Sequence, residues 1–167
     1  SYDQSGSSVS SAGDVNGDGL ADLIVGAFRD DPNGSNSGAS FVVFGKTDGT
    51  AVQLSAIESG AGGFVINGVS SYDQSGRSVS SAGDVNGDGL ADLIVGASGD
   101  DPNGNYSGAS FVVFGKTDGT AVQLSAIELS NNAGGFVING ASSGDYSGRS
   151  VSSAGDVNGD GLADLIV

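Results

Sequence analysis

One nine-residue segment occurs three times without change: Asp14-Val-Asn-Gly-Asp-Gly-Leu-Ala-Asp22, then Asp84–Asp92, then Asp156–Asp164. Its first residues are 70 and then 72 positions apart, and the flanking sequence repeats with it. Ser1–Glu58 and Ser71–Glu128 differ at few positions, among them Ser7/Arg77, Phe28/Ser98, Arg29/Gly99 and Asn36/Tyr106. A period of that length requires a fold built from stacked copies of one supersecondary unit. The chain divides into 1–70, 71–142 and a partial unit at 143–167.

Each unit reads as four strands. Strand A, about Ser7–Ala12, carries small side chains suited to a crowded position near an axis or between close sheets. Strand B, Asp22–Ala27, is nearly continuous in apolar residues, as expected of a strand buried on both faces. Strand C is Ala39–Phe44 and strand D is Gly63–Asn67. Asp30-Asp-Pro-Asn-Gly34 and Thr47-Asp-Gly-Thr50 have turn chemistry, and we expect the first to be a solvated turn rather than a second ion site. Ser55-Ala-Ile-Glu58 has the form of a helix capping box, so one helical turn is expected there. Four antiparallel strands per unit predict an all-β fold of β-propeller blades, about two and a half in this chain. A β-solenoid would need much shorter periods. Gly is 31 of 167 residues, but strict Gly-X-Y spacing is absent, which excludes collagen.

The repeated segment places side-chain oxygens at loop positions 1, 3, 5 and 9 and a carbonyl at position 7. The candidate metal ligands are Asp14, Asn16, Asp18, Leu20 and Asp22. In the other copies they are Asp84, Asn86, Asp88, Leu90 and Asp92, and Asp156, Asn158, Asp160, Leu162 and Asp164. Carboxylate, amide and carbonyl oxygens suit a hard cation, Ca2+ above all; Mg2+ prefers to keep its waters. Zinc and copper would want His or Cys, and the chain has neither. EF-hand and dockerin loops need an acid at position 12 followed by a helix; that position is Val25, inside strand B. Asp22 closes the site instead. We expect one Ca2+ per loop, three in all, with a structural role and near-independent sites.

Net charge is −15, and three divalent ions would bring it to −9. With 5 basic residues against 20 acidic ones, there is no basic patch for phosphates, so nucleic acid is not an expected partner. No run is long and apolar enough for membrane insertion. Without His or Cys the usual base–nucleophile pairs are unavailable, and no enzyme activity is expected. Low-affinity calcium sites suit an extracellular or cell-surface setting.

Ser75–Ser80, the loop Gly83–Gly89 and the strand Asp92–Ala97 resemble FG-GAP repeats, the blades of integrin α-subunit propellers and of many bacterial surface proteins. The resemblance covers essentially the whole chain. It implies a propeller with calcium in the hairpin loop between a blade's first two strands, held by the fifteen residues named above. The Phe-Gly position reads Ser5-Gly6, Ser75-Gly76 and Ser147-Gly148, and Gly-Ala-Pro reads Gly26-Ala-Phe28 and Gly96-Ala-Ser98. The resemblance, with near-identity between units, implies a segment of a large bacterial, cyanobacterial-type surface protein. Its expected role is adhesion to an unidentified protein or glycan ligand. The alternative expectation is a structural unit that self-associates through open blade edges into a filament, sheath or surface layer.

Overall fold

A computed structural model describes residues 3–130 and 134–167. Its strands are β1 (Ser8–Gly13), β2 (Asp22–Ala27), β3 (Ala39–Val43), β4 (Gly63–Asn67), β5 (Ser75–Gly83), β6 (Asp92–Ala97), β7 (Ala109–Val113), β8 (Val122–Gln123), β9 (Gly135–Asn139), β10 (Ser152–Gly155) and β11 (Asp164–Ile166). Two short helices, α1 (Leu54–Glu58) and α2 (Leu124–Leu129), precede β4 and β9. The chain is all-β. β1-β2-β3-β4 and β5-β6-β7-β9 are antiparallel four-stranded blades, and β10-β11 begins a third.

The apolar runs explain the stacking. Alternate residues of a strand face opposite sides. Ile24, Val42, Phe64 and Ile66 from one face of the first blade join Leu93, Val95, Phe111 and Val113 from the opposite face of the second in one core. The other face of the second blade, with Ile94 and Val112, meets Val151 and Leu165 of the third. Each large aliphatic residue buried this way contributes about 1.5–3 kcal/mol. Position in the stack decides burial: Leu23 is 55% exposed on the first blade, whereas Leu93, its counterpart on the second, is 0% exposed. The small side chains of strand A have the same cause. Ser8 Oγ donates to the carbonyl of Gly76 at 2.8 Å, and a Cβ on Gly26 would lie 2.1 Å from that oxygen.

The blades are also joined by backbone. Tyr72, Gln74 and Ser75 of the second unit donate to the carbonyls of Ser35, Asn36 and Ser37 of the first at 2.8, 3.1 and 3.1 Å. Gly38 sits there at φ +81°, and a Cβ on it would lie 2.0 Å from the Ser75 carbonyl. Gly38→Ala should therefore cost about 3 kcal/mol in chemical denaturation, from left-handed strain and the backbone clash together; an unchanged midpoint would contradict this junction. A second tie is β8, which pairs in parallel with β4 through Ile66–Val122 and Asn67–Gln123. A strand of the second repeat thus finishes the sheet of the first. Asn33 Nδ2 secures it, donating to Gly68 O at 2.7 Å and Gln123 Oε1 at 3.1 Å.

Two local expectations are corrected. The helical turn forms, but it begins at Leu54 after Gln53, with no side-chain cap, so Ser55 is inside the helix and the capping box does not close. The Asp-Pro-Asn-Gly turn is not simply solvated. Asp31 and Asp101 are exposed, whereas Asp30 is half-buried and Asp100 is buried.

Candidate metal centre

The loop between β1 and β2 opens at a register shift between Ser11 and Gly13. Asp14 then folds the following turn around its own carboxylate. Its Oδ1 accepts from Gly17 N at 2.8 Å and Asp18 N at 3.1 Å, and its Oδ2 accepts from Gly19 N at 2.8 Å. Asn16 Oδ1 accepts from Asp18 N at 2.9 Å, and Asp18 Oδ1 from Leu20 N at 2.8 Å. Asn16 Nδ2 donates to Asp18 Oδ2 at 3.0 Å. The second and third loops repeat these contacts within about 0.1 Å.

The ninth residue does something different. Asp22 is buried and points inward: Oδ2 accepts from Val15 N at 2.8 Å, and Oδ1 from Gly45 N at 2.7 Å. Asp92 does the same with Val85 N and Gly115 N, both at 2.9 Å. Asp164 accepts from Val157 N at 2.7 Å and Asn158 N at 3.3 Å. The ninth aspartate is thus a staple that ties the loop to the start of strand B and, in the first two blades, to the exit of strand C. Burial pushes the Asp22 and Asp92 carboxyls up; the two backbone N–H groups on each pull down; the loop's fifth- and first-position aspartates push up again.

The donor chemistry fits a hard cation. A carboxylate offers about four lone-pair positions, so Asp14, Asp18 and Asp22 each keep acceptor capacity after these hydrogen bonds. The mutual repulsion of the three carboxylates is what a divalent ion would relieve. The geometry is less complete: among the described residues no group of three acidic side chains converges as a formed metal cage. Asp14, Asn16 and Asp18 ring the loop, while Asp22 lies beneath it with both oxygens engaged by N–H donors.

Successive loops touch. Ala91 N donates to Asp14 O at 3.0 Å, Lys116 N to Val15 O at 2.8 Å, and Ala163 N to Asp84 O at 3.2 Å. Leu90 lies over Gly17, where an added Cβ would meet its Cδ2 at 3.1 Å. Near-independence of the sites does not follow from this geometry, because the first residue of one loop is bonded to the eighth of the next.

The spacing of the acids conveys nothing of a second acidic locus. Asp73 and Asp100 are 6% and 7% exposed, and Asp100 Oδ2 is buried without a hydrogen-bond partner. Burial, and then Asp100, push Asp73 up to about 7; burial, then Glu128 and Asp101, push Asp100 up to about 6. The signal available in the sequence is Asp73 repeating as Asp3 and Asp145, always three residues before the Gly that enters strand A.

Among the described residues no helix is long and apolar enough to cross a membrane. No curated protein is matched by the sequence. The family model for the FG-GAP repeat matches three times, over residues 5–43, 75–113 and 147–167, more than half of the chain and once per loop. FG-GAP repeats occur in extracellular, adhesion-type proteins. With the repeated loop, the antiparallel blades and these three matches in register, the chain belongs to the FG-GAP repeat family.

Proposed function

We propose that this chain is a calcium-stabilised, extracellular recognition module of a larger surface protein, non-enzymatic, with one Ca2+ in each β-hairpin loop. The observation that carries the reading is the threefold repetition of one oxygen-rich loop whose carboxylates repel one another. Asp14, Asn16, Asp18, the Leu20 carbonyl and Asp22, with their counterparts, would hold the ion. A bound Ca2+ supplies charge neutralisation and stiffening; the loops do no chemistry. Asp18 and Asn16 are the side chains free to turn outward, since only local hydrogen bonds hold them.

The test is calorimetry of the chain in chelator and in excess calcium, with titration for stoichiometry. A single site held at a hundred times its dissociation constant adds about 2.7 kcal/mol, a rise of roughly 5–10 °C for a chain of this size. Three ions per chain are expected. An identical melt in both buffers would refute calcium stabilisation. Asp88→Ala should reduce the rise and, through the Ala91–Asp14 and Ala163–Asp84 contacts, weaken the neighbouring loops as well.

A second reading, self-assembly, has one observation in its favour. β8 shows that the outer edge of a blade accepts a parallel strand from the following repeat, and β9 and β11 have edges without such a partner among the described residues. A second copy would use those edges. Sedimentation in calcium decides it: a concentration-independent monomer excludes this reading.

A further inference from the structure

The two blade junctions share a backbone and differ in side chains. At the first, Phe28 lies half-buried between two arginines, with the guanidinium carbons of Arg29 and Arg77 each 5.4 Å from its ring centre. One repeat on, Ser98 and Gly99 replace Phe28 and Arg29, and a pocket of about 110 Å³ opens. Gln74, Arg77, Ser98, Tyr106, Tyr146 and Arg149 line it around Gly99. No carboxylate lines it, although the chain carries 20 acidic residues and 5 basic ones. Two of its three arginines are here, and the ion pairs among the described residues are made by the lysines, Lys46–Asp48 and Lys116–Asp118.

The tyrosines mark the pocket a second time. Tyr106 and Tyr146 stack with ring centres 5.4 Å apart and planes at 18°. Both lie in the left-handed region, at φ 56° and 53°, and Tyr146 N donates to Tyr106 O at 3.0 Å. The first junction makes the same clasp with Asn36 and Gln74, at φ 52° and 56°. Asn tolerates that conformation well; a bulky aromatic residue there is a genuine outlier. The left-handed backbone belongs to the clasp and recurs at Gln4, Asn36 and Gln74; what distinguishes the second junction is the aromatic pair placed on it. The fold does not require the tyrosines, since the first junction closes without them.

Resting on the reading of the chain as a recognition module, we propose that this pocket binds an acidic saccharide, with a uronate carboxylate between Arg77 and Arg149. The planar guanidinium forks suit a carboxylate. Arg77 Nη1 donates to Gln74 Oε1 at 2.9 Å, which fixes the guanidinium; the hydroxyls of Ser98 and the two tyrosines, with the Gln74 NH2, face ring hydroxyls, and the tyrosine pair offers a flat face. The volume admits the carboxylate and the adjoining part of one ring.

The whole chain, in calcium, should be titrated with a glucuronate trisaccharide and with the matching neutral glucose trisaccharide, followed by calorimetry and tyrosine fluorescence. The acidic sugar alone should bind. Arg77→Ala and Arg149→Ala should each weaken it at least tenfold, and Ser98→Phe, which puts a ring into the pocket, should abolish it while calcium still raises the melting temperature. Gly99 is left alone, because a Cβ there would lie 2.1 Å from the Tyr72 carbonyl. Equal binding of the neutral sugar, full displacement by equimolar sulfate, or unaltered binding by Ser98→Phe would overturn the assignment. Absence of saccharide binding while calcium still raises the melting temperature would refute the pocket and leave the calcium-stabilised module standing; a melt indifferent to calcium would refute the latter alone.

Discussion

Asp92→Asn should cost about 3 kcal/mol of stability with every cation removed. The Asp92 carboxylate accepts from Val85 N and Gly115 N, and hydrogen bonds to a buried charge contribute about 1.5–3 kcal/mol each. The amide keeps the shape but offers one acceptor oxygen, so its NH2 faces the other backbone donor and leaves that N–H unsatisfied, at about 1–3 kcal/mol. Relief of the buried charge offsets part of the sum. Urea denaturation in chelator reads the effect without calcium. Asp88→Asn is the control: exposed and bonded only within its loop, it should change by less than about 1 kcal/mol in chelator and show its main cost in calcium. Equal, small losses from both would mean that the ninth aspartate is a ligand alone and not a staple. Asp164→Asn should cost less than Asp92→Asn, because Asp164 bonds only within its own loop.

Metal-free protein should lose stability as pH rises from 5 to 8, and Asp73→Asn should remove most of that loss. Asp73 and Asp100 have folded-state values of about 7 and about 6, above the ordinary value of 3.8. The folded state therefore holds protons that the unfolded chain has released. Stability is fully present below about pH 4 and is lost as pH rises through 6 and then 7. Each tenfold difference in proton affinity between the folded and unfolded chain is worth about 1.4 kcal/mol, so between pH 5 and 8 the two groups together set a change on the order of 4 kcal/mol. The facing charges, Asp101 and Glu128, have the same sign and deepen the effect. An amide at 73 keeps the acceptor for Ser70 N, which Asp73 Oδ2 now serves at 2.6 Å, and brings a donor towards the unpartnered Asp100 oxygen. Denaturation midpoints of the variant should fall by less than half as much across this range, the remainder coming from Asp100, and be higher than the parent's at pH 8. A parent whose midpoint rises with pH would contradict the burial of this pair.

Strands B and D end where their residues say they do, because an apolar run bounded by Gly and Asp leaves little freedom in register. The loop's first five residues are equally legible, since their partners lie within the loop itself. The ninth is not. Asp22 meets the N–H of Gly45, 23 residues away, and spacing within the motif cannot say whether a carboxylate turns outward to an ion or inward to such a donor. The same applies to Ser55: a capping sequence competes with the packing of Leu54 and Ile57, and packing sets the helix start ahead of the serine. Asp100 reads as a solvated turn residue because the backbone that packs beside it, Asp73 O accepting from Gly99 N, comes from a segment far earlier in the chain. β8 is two residues long and pairs only because Asn33 and the edge of β4 await it.

The blade junctions bear on how such a chain can grow. Each is assembled from the same pairs of positions in successive repeats: Ala91 on Asp14 and Ser75 on Ser37 at the first, Ala163 on Asp84 and Ser147 on Ser107 at the second. A gene segment of one period, copied from any starting point, carries both halves of this joint. Tandem duplication thus inherits a fitting interface at once, with no interval of selection to repair it. The junction side chains then become the place where copies can diverge cheaply, as Phe28 and Ser98 already have.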